Sequence, residues 1–383
     1  MIGFKIEESM MIRRKFLSAI IMIILLFPPT IVLGRVSGNK EKNYKKISFK
    51  ELVAKHFPEG DVYFGGTSGW MYFGTKSQRI LNREFSYVTP ENDFKQSYIH
   101  PRPGEYNYER SDAWIEQCKP NGQLLRLHGP ISPQSSKWVK NDKRTPQELE
   151  IMLQEFMTTL CLRYNGQTGV KWLDVVNETI DKTDGEWFMP KPGTNKWENP
   201  WPIMGFDESS PLRPPVYIKK AFAIANQFAP DMKLIINQHG SLEKHSWEKM
   251  KELVAYLRKN KLRVDGLGWQ AHIDLGWEKI EGNTDYLAEI IRWCHANDLE
   301  FHITEMNVYL KDDNAGKLEE QSETFTSVIK TVLDNRDGGI VGVNFWGIRA
   351  SESGKAEWDG CLWDDRWKPK PAYFAIKELI DSY

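Results

Sequence analysis

Eight short apolar segments recur between residues 62 and 346, with stretches of helical length between several of them, and this alternation limits the chain to few architectures. The segments are Val62–Gly66, Phe85–Thr89, Leu124–His128, Trp172–Asn177, Lys233–Asn237, Val264–Gln270, Phe301–Thr304 and Val341–Trp346. Apolar residues follow the helical period most clearly in Pro146–Tyr164, Val216–Phe228, Trp247–Lys259, Asp285–Ala296 and Leu318–Leu333. Strand–helix alternation at this spacing predicts parallel βαβ units. Eight repeats predict an α/β fold, a closed (β/α)8 TIM barrel, rather than an open doubly wound sheet. No glycine-rich phosphate loop follows the first segment, which counts against a nucleotide-binding sheet.

The formal net charge of −1 over 383 residues gives no basis for a nucleic-acid or anionic-membrane partner. Fifteen Trp is a high count, and indole faces stack well on sugar rings. Residues 1–34 read as an export signal: Arg13, Arg14 and Lys15, an apolar run from Phe16 to Phe27, then Pro28 and Pro29 and a second apolar patch. The same stretch is just long enough for an uncleaved anchor, although the prolines weaken that alternative. Export predicts a periplasmic, cell-surface or extracellular location. Residues 35–55, polar and Lys-rich, read as a linker, and 56–383 as one catalytic domain. The four cysteines, Cys118, Cys161, Cys294 and Cys361, form no metal-binding pair. Disulfides and buried free thiols both stay open.

Two segments end alike. Trp172-Leu-Asp-Val-Val-Asn177-Glu178 closes the fourth and Phe301-His-Ile-Thr304-Glu305 the seventh. A glutamate just past a barrel strand emerges at the mouth, where active sites of this fold lie. Glycoside hydrolysis needs two such carboxyl groups, one to protonate the leaving oxygen and one to attack the sugar or activate water. His239, His272 and His302 lack metal-ligand spacing, and simple alternation from Glu305 turns His302 away from the barrel interior. Neither a metal nor another cofactor is expected.

Beyond the carboxylates, the chain resembles glycoside hydrolase family 10, the endo-β-1,4-xylanases, as a divergent member. Trp172–Glu178 looks like that family's W-D-V-V-N-E and Ile303–Asn307 like its I-T-E-L-D. Thr89–Lys95 resembles its T-x-E-N-x-M-K, Gly266–His272 its G-x-G-x-Q-x-H, Ile235–Asn237 its I-N-D-Y and Trp346-Gly347 its strand-eight W-G. Trp367–Tyr373 is similar to the K-P-A-Y stretch that opens its last helix. The resemblance implies a retaining hydrolase that cleaves β-1,4-linked xylan or a xylan-like polysaccharide by double displacement. Glu178 is then the acid/base and Glu305 the nucleophile, with His272 hydrogen-bonded to Glu305. It implies that Gln270 and Asn177 orient the acid/base and the sugar 2-hydroxyl. Glu91, Asn92, Lys95 and His128 bind the sugar on the non-reducing side, and Trp346 walls the cleft with Trp358 or Trp363 as a second stacking face. A polysaccharide or oligosaccharide is the expected partner, and a monomer the expected state.

Departures from the family pattern cluster around the cleft. The strand-three motif runs Arg126-Leu-His128-Gly-Pro-Ile-Ser-Pro-Gln134, without the family's Trp and second His. Gln96, Gln238-His239, Asn307 and Gly347–Ser351 replace other family residues, and Arg349 suggests an acidic or sulfated sugar. Altered substrate choice fits these changes better than lost activity. Alternatives are another β-glycan, an exopolysaccharide, or a carbohydrate-binding barrel with weak turnover.

Overall fold

The computed structural model describes residues 38–383 apart from 142–143, 191–198 and 312–316, so the expected export signal, residues 1–34, lies outside the described residues. Every predicted apolar segment forms a strand: β1 (Val62–Ser68), β2 (Tyr87–Pro90), β3 (Leu124–Leu127), β4 (Val170–Asn177), β5 (Lys233–Gln238), β6 (Gly266–Trp269), β8 (Glu300–Tyr309) and β9 (Val341–Phe345). A short extra strand, β7 (His272–Asp274), pairs only with the outer end of β8. All ladders are parallel. The β6–β8 and β1–β9 pairings close the eight long strands into a barrel. Both faces of these strands are covered, which is why they read as continuous apolar runs rather than as alternating ones.

Some helices begin where side chains satisfy their free N–H groups. Thr145 and Glu148 form a capping box at the start of Pro146–Tyr164, with a proline in the first turn. The helices Pro146–Tyr164 and Val216–Phe228 match their sequence bounds. Lys244–Lys259, Asn283–Ala296 and Leu318–Asp334 extend slightly beyond theirs. Among the described residues no helix is long and apolar enough to cross a membrane.

The expected polar linker, residues 35–55, is corrected. Helices span Gly38–Tyr44 and Phe49–His56, the second opened by a Ser48–Glu51 capping box. Phe49 is fully buried, its ring 6.0 Å from Phe64 of β1, 6.0 Å from Phe345 of β9 and 5.3 Å from Tyr373 of the last helix, Pro371–Asp381. The segment therefore belongs to the domain and covers the seam where first and last strands meet. Its apolar anchors, Tyr44, Phe49, Leu52 and Val53, are spread among lysines, which made it look solvated.

Beneath this seam lies a buried charge. Lys377 Nζ donates to Glu84 Oε2 at 2.9 Å and to the carbonyls of Tyr44 at 3.1 Å and Ile47 at 2.6 Å. Burial pushes the Lys377 ammonium down to about 8, against the opposing pull of Glu84. The four cysteines are free and buried.

Removing one partner of a buried ion pair leaves an uncompensated charge, at a cost of about 3–5 kcal/mol. Glu84→Leu should lower stability by about that amount in urea unfolding. Adding Lys377→Met should recover most of the loss, because the second charge is then gone as well.

Candidate active site

The barrel interior changes character from its base to its mouth. At the base Trp172 packs against Tyr63 and Tyr87 and donates from Nε1 to Glu300 Oε2 at 2.8 Å. Above it Arg126 Nε donates to Asp174 Oδ1 at 2.8 Å, both residues fully buried. His302 also sits here, edge-on to Trp172 with its Nε2 2.9 Å from Glu300 Oε2. The outward orientation expected for His302 is thus wrong. The β8 register shifts between Ile303 and Met306, so strict alternation does not carry through from His302 to Glu305. The backbone of Gly342 makes room for that ring, since a Cβ there would lie 2.3 Å from His302 Nδ1.

At the mouth a net of amides joins the two glutamates. Asn237 Nδ2 donates to Asn177 Oδ1 at 2.8 Å and to Glu305 Oε1 at 2.9 Å. Gln270 Nε2 donates to Glu178 Oε1 at 2.9 Å and to Asn177 Oδ1 at 3.3 Å. Both lone-pair directions of Asn177 Oδ1 are thereby used, which leaves its amide nitrogen to meet a ligand. Gly268 permits this close approach, because a Cβ there would lie 2.5 Å from Asn237 Oδ1 and 2.7 Å from Thr304 Cγ2.

Glu178 has a left-handed backbone, φ 57°, a conformation that costs a non-glycine residue about 1–2 kcal/mol. Strand β5 holds it there: Glu178 N donates to Asn237 O at 2.9 Å, while Gln238 Nε2 at 2.6 Å and His239 Nε2 at 2.9 Å reach Ile180 O. Gln238 and His239, departures in the sequence pattern, thus brace the turn that aims Glu178.

Glu305 is buried, 4% exposed, and surrounded by nitrogen. His272 Nε2 lies 3.2 Å from its Oε2 and His128 Nε2 3.7 Å from its Oε1. Burial alone would push this carboxyl up; the His128 ring, the hydrogen bond to His272 and the Lys95 charge outweigh it and hold the carboxyl below the usual range. His128 is itself oriented by Asp174, whose Oδ2 lies 2.9 Å from Nδ1. His272 is oriented by Asn307: Nδ2 of Asn307 donates to Trp346 O at 2.9 Å, turning Oδ1 toward His272 Nδ1 at 3.0 Å.

The cavity over this net has a volume of about 640 Å³. Glu91, Asn92, Lys95, His128, Gln270, His272 and Trp346 line it together with both glutamates, whereas Asn177 lies buried just behind. Burial pushes the Glu91 carboxyl up, against the pull of Lys95. Lys95 Nζ donates to Asn92 Oδ1 at 3.0 Å and to Gln134. His128, expected among the sugar-binding groups, is 2% exposed and packed between Asp174 and Glu305. Trp358 lines the cavity, while Trp363 is buried against Phe85 and Tyr373. Gln96 is not a wall residue, being fully buried and bonded to Ser136 N and His100 O. Arg349 pairs with Glu352 at 2.6 Å and stacks over Trp367, outside the cavity lining. Sequence reasoning passed over Asp174, Asn237, Gln238 and Tyr309 as site groups, although the first two stood inside quoted motifs. Among the described residues no cluster of His, Cys, Asp and Glu is arranged to hold a metal ion.

The model of glycosyl hydrolase family 10 matches residues 50–379. Endo-1,4-beta-xylanase B of Thermotoga neapolitana is 27% identical over 319 residues, spanning 80% of this chain and 84% of that one. Endo-1,4-beta-xylanase A of Caldicellulosiruptor saccharolyticus is 31% identical over 321 residues, spanning 78% and 87%. Among solved structures, xylanase 10B from Thermotoga maritima aligns with a TM-score of 0.72 at 26% identity, covering 88% of this chain and 98% of that one. Xylanase 10B from Thermotoga petrophila RKU-1, in complex with xylobiose, aligns with a TM-score of 0.75 at 25% identity, with the same coverage.

Since the His128 ring helps hold Glu305 down against burial, His128→Asn should let burial raise that carboxyl. Carbon-13 NMR titration of labelled glutamate should find Glu305 titrating at higher pH in the variant. The acid limb of hydrolysis should move upward with it.

Proposed function

Because the chain belongs to glycosyl hydrolase family 10, we propose that it cleaves a β-1,4-linked xylan or xylan-like polysaccharide with retention, using Glu178 as acid/base and Glu305 as nucleophile. The observation that carries the reading is the contrast between the two carboxyl groups. Glu305 is buried among donors from three strands and their extensions, which favours an anion fixed for attack. Glu178 has one oxygen held by Gln270 and faces the cavity, as a group that must give and take a proton does. In the first step Glu305 attacks the sugar while Glu178 protonates the leaving oxygen. In the second Glu178 deprotonates a water that frees the sugar.

The surrounding groups take supporting roles in this reading. Glu91, Asn92 and Lys95 bind sugar hydroxyls, and the free amide nitrogen of Asn177 meets the 2-hydroxyl. His128 and His272 position Glu305, and Trp346 walls the site. The matched relatives named as endo-1,4-beta-xylanases support xylan as substrate. A second reading, another β-glycan, is favoured by the altered loop Ile131–Gln134 and by Gly347–Ser351. Export follows as a proposal from the basic and apolar pattern of residues 13–34, and sequencing the N-terminus of secreted protein tests it.

Reducing-sugar release over xylans, β-glucans and bacterial polysaccharides should be greatest on a xylan, and the two readings part there. Proton NMR of the first-formed product should show the β-anomer; an α-anomer would sink the retaining mechanism. Glu178→Gln should lower kcat by about 10²–10⁴-fold on unactivated substrate. Glu305→Gln should abolish nearly all turnover while oligosaccharide still binds.

A further inference from the structure

Outside the reacting pair, the cleft carries more positive than negative charge. Its remaining charged lining residues are Lys95, Lys182, Lys311 and Lys355 against Glu91 and Asp274. Lys95 is engaged with Asn92 and Gln134, and Lys311 pairs with Asp274 at 2.6 Å. Lys182 and Lys355 are both exposed, with no carboxylate paired to either among the described residues, and Lys355 is the one placed over an indole of the cleft wall. Its ammonium lies 4.3 Å from the centre of the Trp358 ring, which Lys311 approaches to 5.0 Å. Trp358 packs edge-on against Tyr309 at 5.0 Å, and the Tyr309 hydroxyl lies 3.2 Å from His272 Nδ1. The indole is thus a pedestal, fixed through Tyr309 to the wall beside Glu305. It holds over its face an ammonium that no carboxylate among the described residues neutralises, at low ordering cost and with the N–H donors still available.

Such a group gains little from a neutral chain, whose hydroxyls only replace water. It gains an ion pair from an anionic one. We propose that the cleft takes β-glycan chains carrying an anionic substituent, a uronic-acid carboxylate or a sulfate ester, and that Lys355 on Trp358 pairs with it. This rests on the reading of the site as one that cleaves a β-linked glycan. The feature is distinct from Arg349, whose charge is spent on Glu352.

The test compares kcat/KM on an unsubstituted xylo-oligosaccharide, a glucuronic-acid-substituted xylan fragment and a sulfated xylan fragment. Parent, Lys355→Met and Lys355→Arg proteins are each measured at low and high salt. The parent should prefer an anionic substrate. Lys355→Met should reduce the anionic-to-neutral ratio by about three- to fivefold, the yield of one exposed ion pair. Lys355→Arg should retain the ratio, and salt should erase it by screening. Preference for one anion over the other supports the proposal and names the source. An unchanged ratio in Lys355→Met, with the neutral chain still cleaved, overturns the proposal and leaves the hydrolase reading standing. No cleavage of any β-glycan overturns both.

Discussion

A carboxylate taken into a barrel interior is costly unless each oxygen meets a donor, and the mouth of this barrel is organised around that demand at Glu305. One oxygen meets Asn237 and faces His128; the other meets His272. Each partner needs a partner in turn. His128 leans on Asp174, Asp174 on Arg126, and His272 on Asn307 and Tyr309. Burial would push Asp174 up, but Arg126 and His128 hold it below the usual carboxylate range, so negative charge stays in the core with matched positive charge beside it. The chain of dependence runs from the mouth down to the middle of the barrel.

Aiming two carboxylates into one cavity also requires departures from regular strands. Register shifts occur in β4 between Asp174 and Val176, just before Glu178, and in β8 between Ile303 and Met306, an interval that contains Glu305. Glu178 and Ala271 then take left-handed backbones at the ends of β4 and β6. Strain of this kind persists only where neighbours over-determine it. Here the neighbours are Gln238 and His239, which clamp the backbone of Ile180, and Asn237, whose carbonyl receives the Glu178 amide. Residues that look like losses beside the family pattern thus do structural work in this chain.

The cleft wall was legible in part. The motif Glu91-Asn92-Asp93-Phe94-Lys95 placed three groups at the mouth, and all three line the cavity. Gln96 in the following position turns inward to bind the loop before Trp138, because residues 96–99 begin a short helix whose buried face receives it. Arg349 looked like a substrate group in a linear reading and is instead tied to Glu352 three residues on. Lys355 carried no motif at all. Its standing depends on Trp358 three residues later and on Tyr309 from a different strand, a relation that only folding creates.

Sequence alone determined the eight strands, the principal helices and the two strand-end glutamates, because buried parallel strands and amphipathic helices leave local, periodic traces. The resemblance to the family added the expectation that amides and histidines accompany those glutamates. The tertiary structure decided which face each of them presents. A bulge turns His302 and Glu305 to the same side, which a two-residue period forbids. It decided that residues 38–56 belong to the domain, since Phe49 finds its partners on β1, β9 and the last helix, far apart in the chain. Local pattern fixes elements; contacts between distant residues fix where charge is buried, which lysine rests on an indole of the cleft wall, and what the cavity can hold.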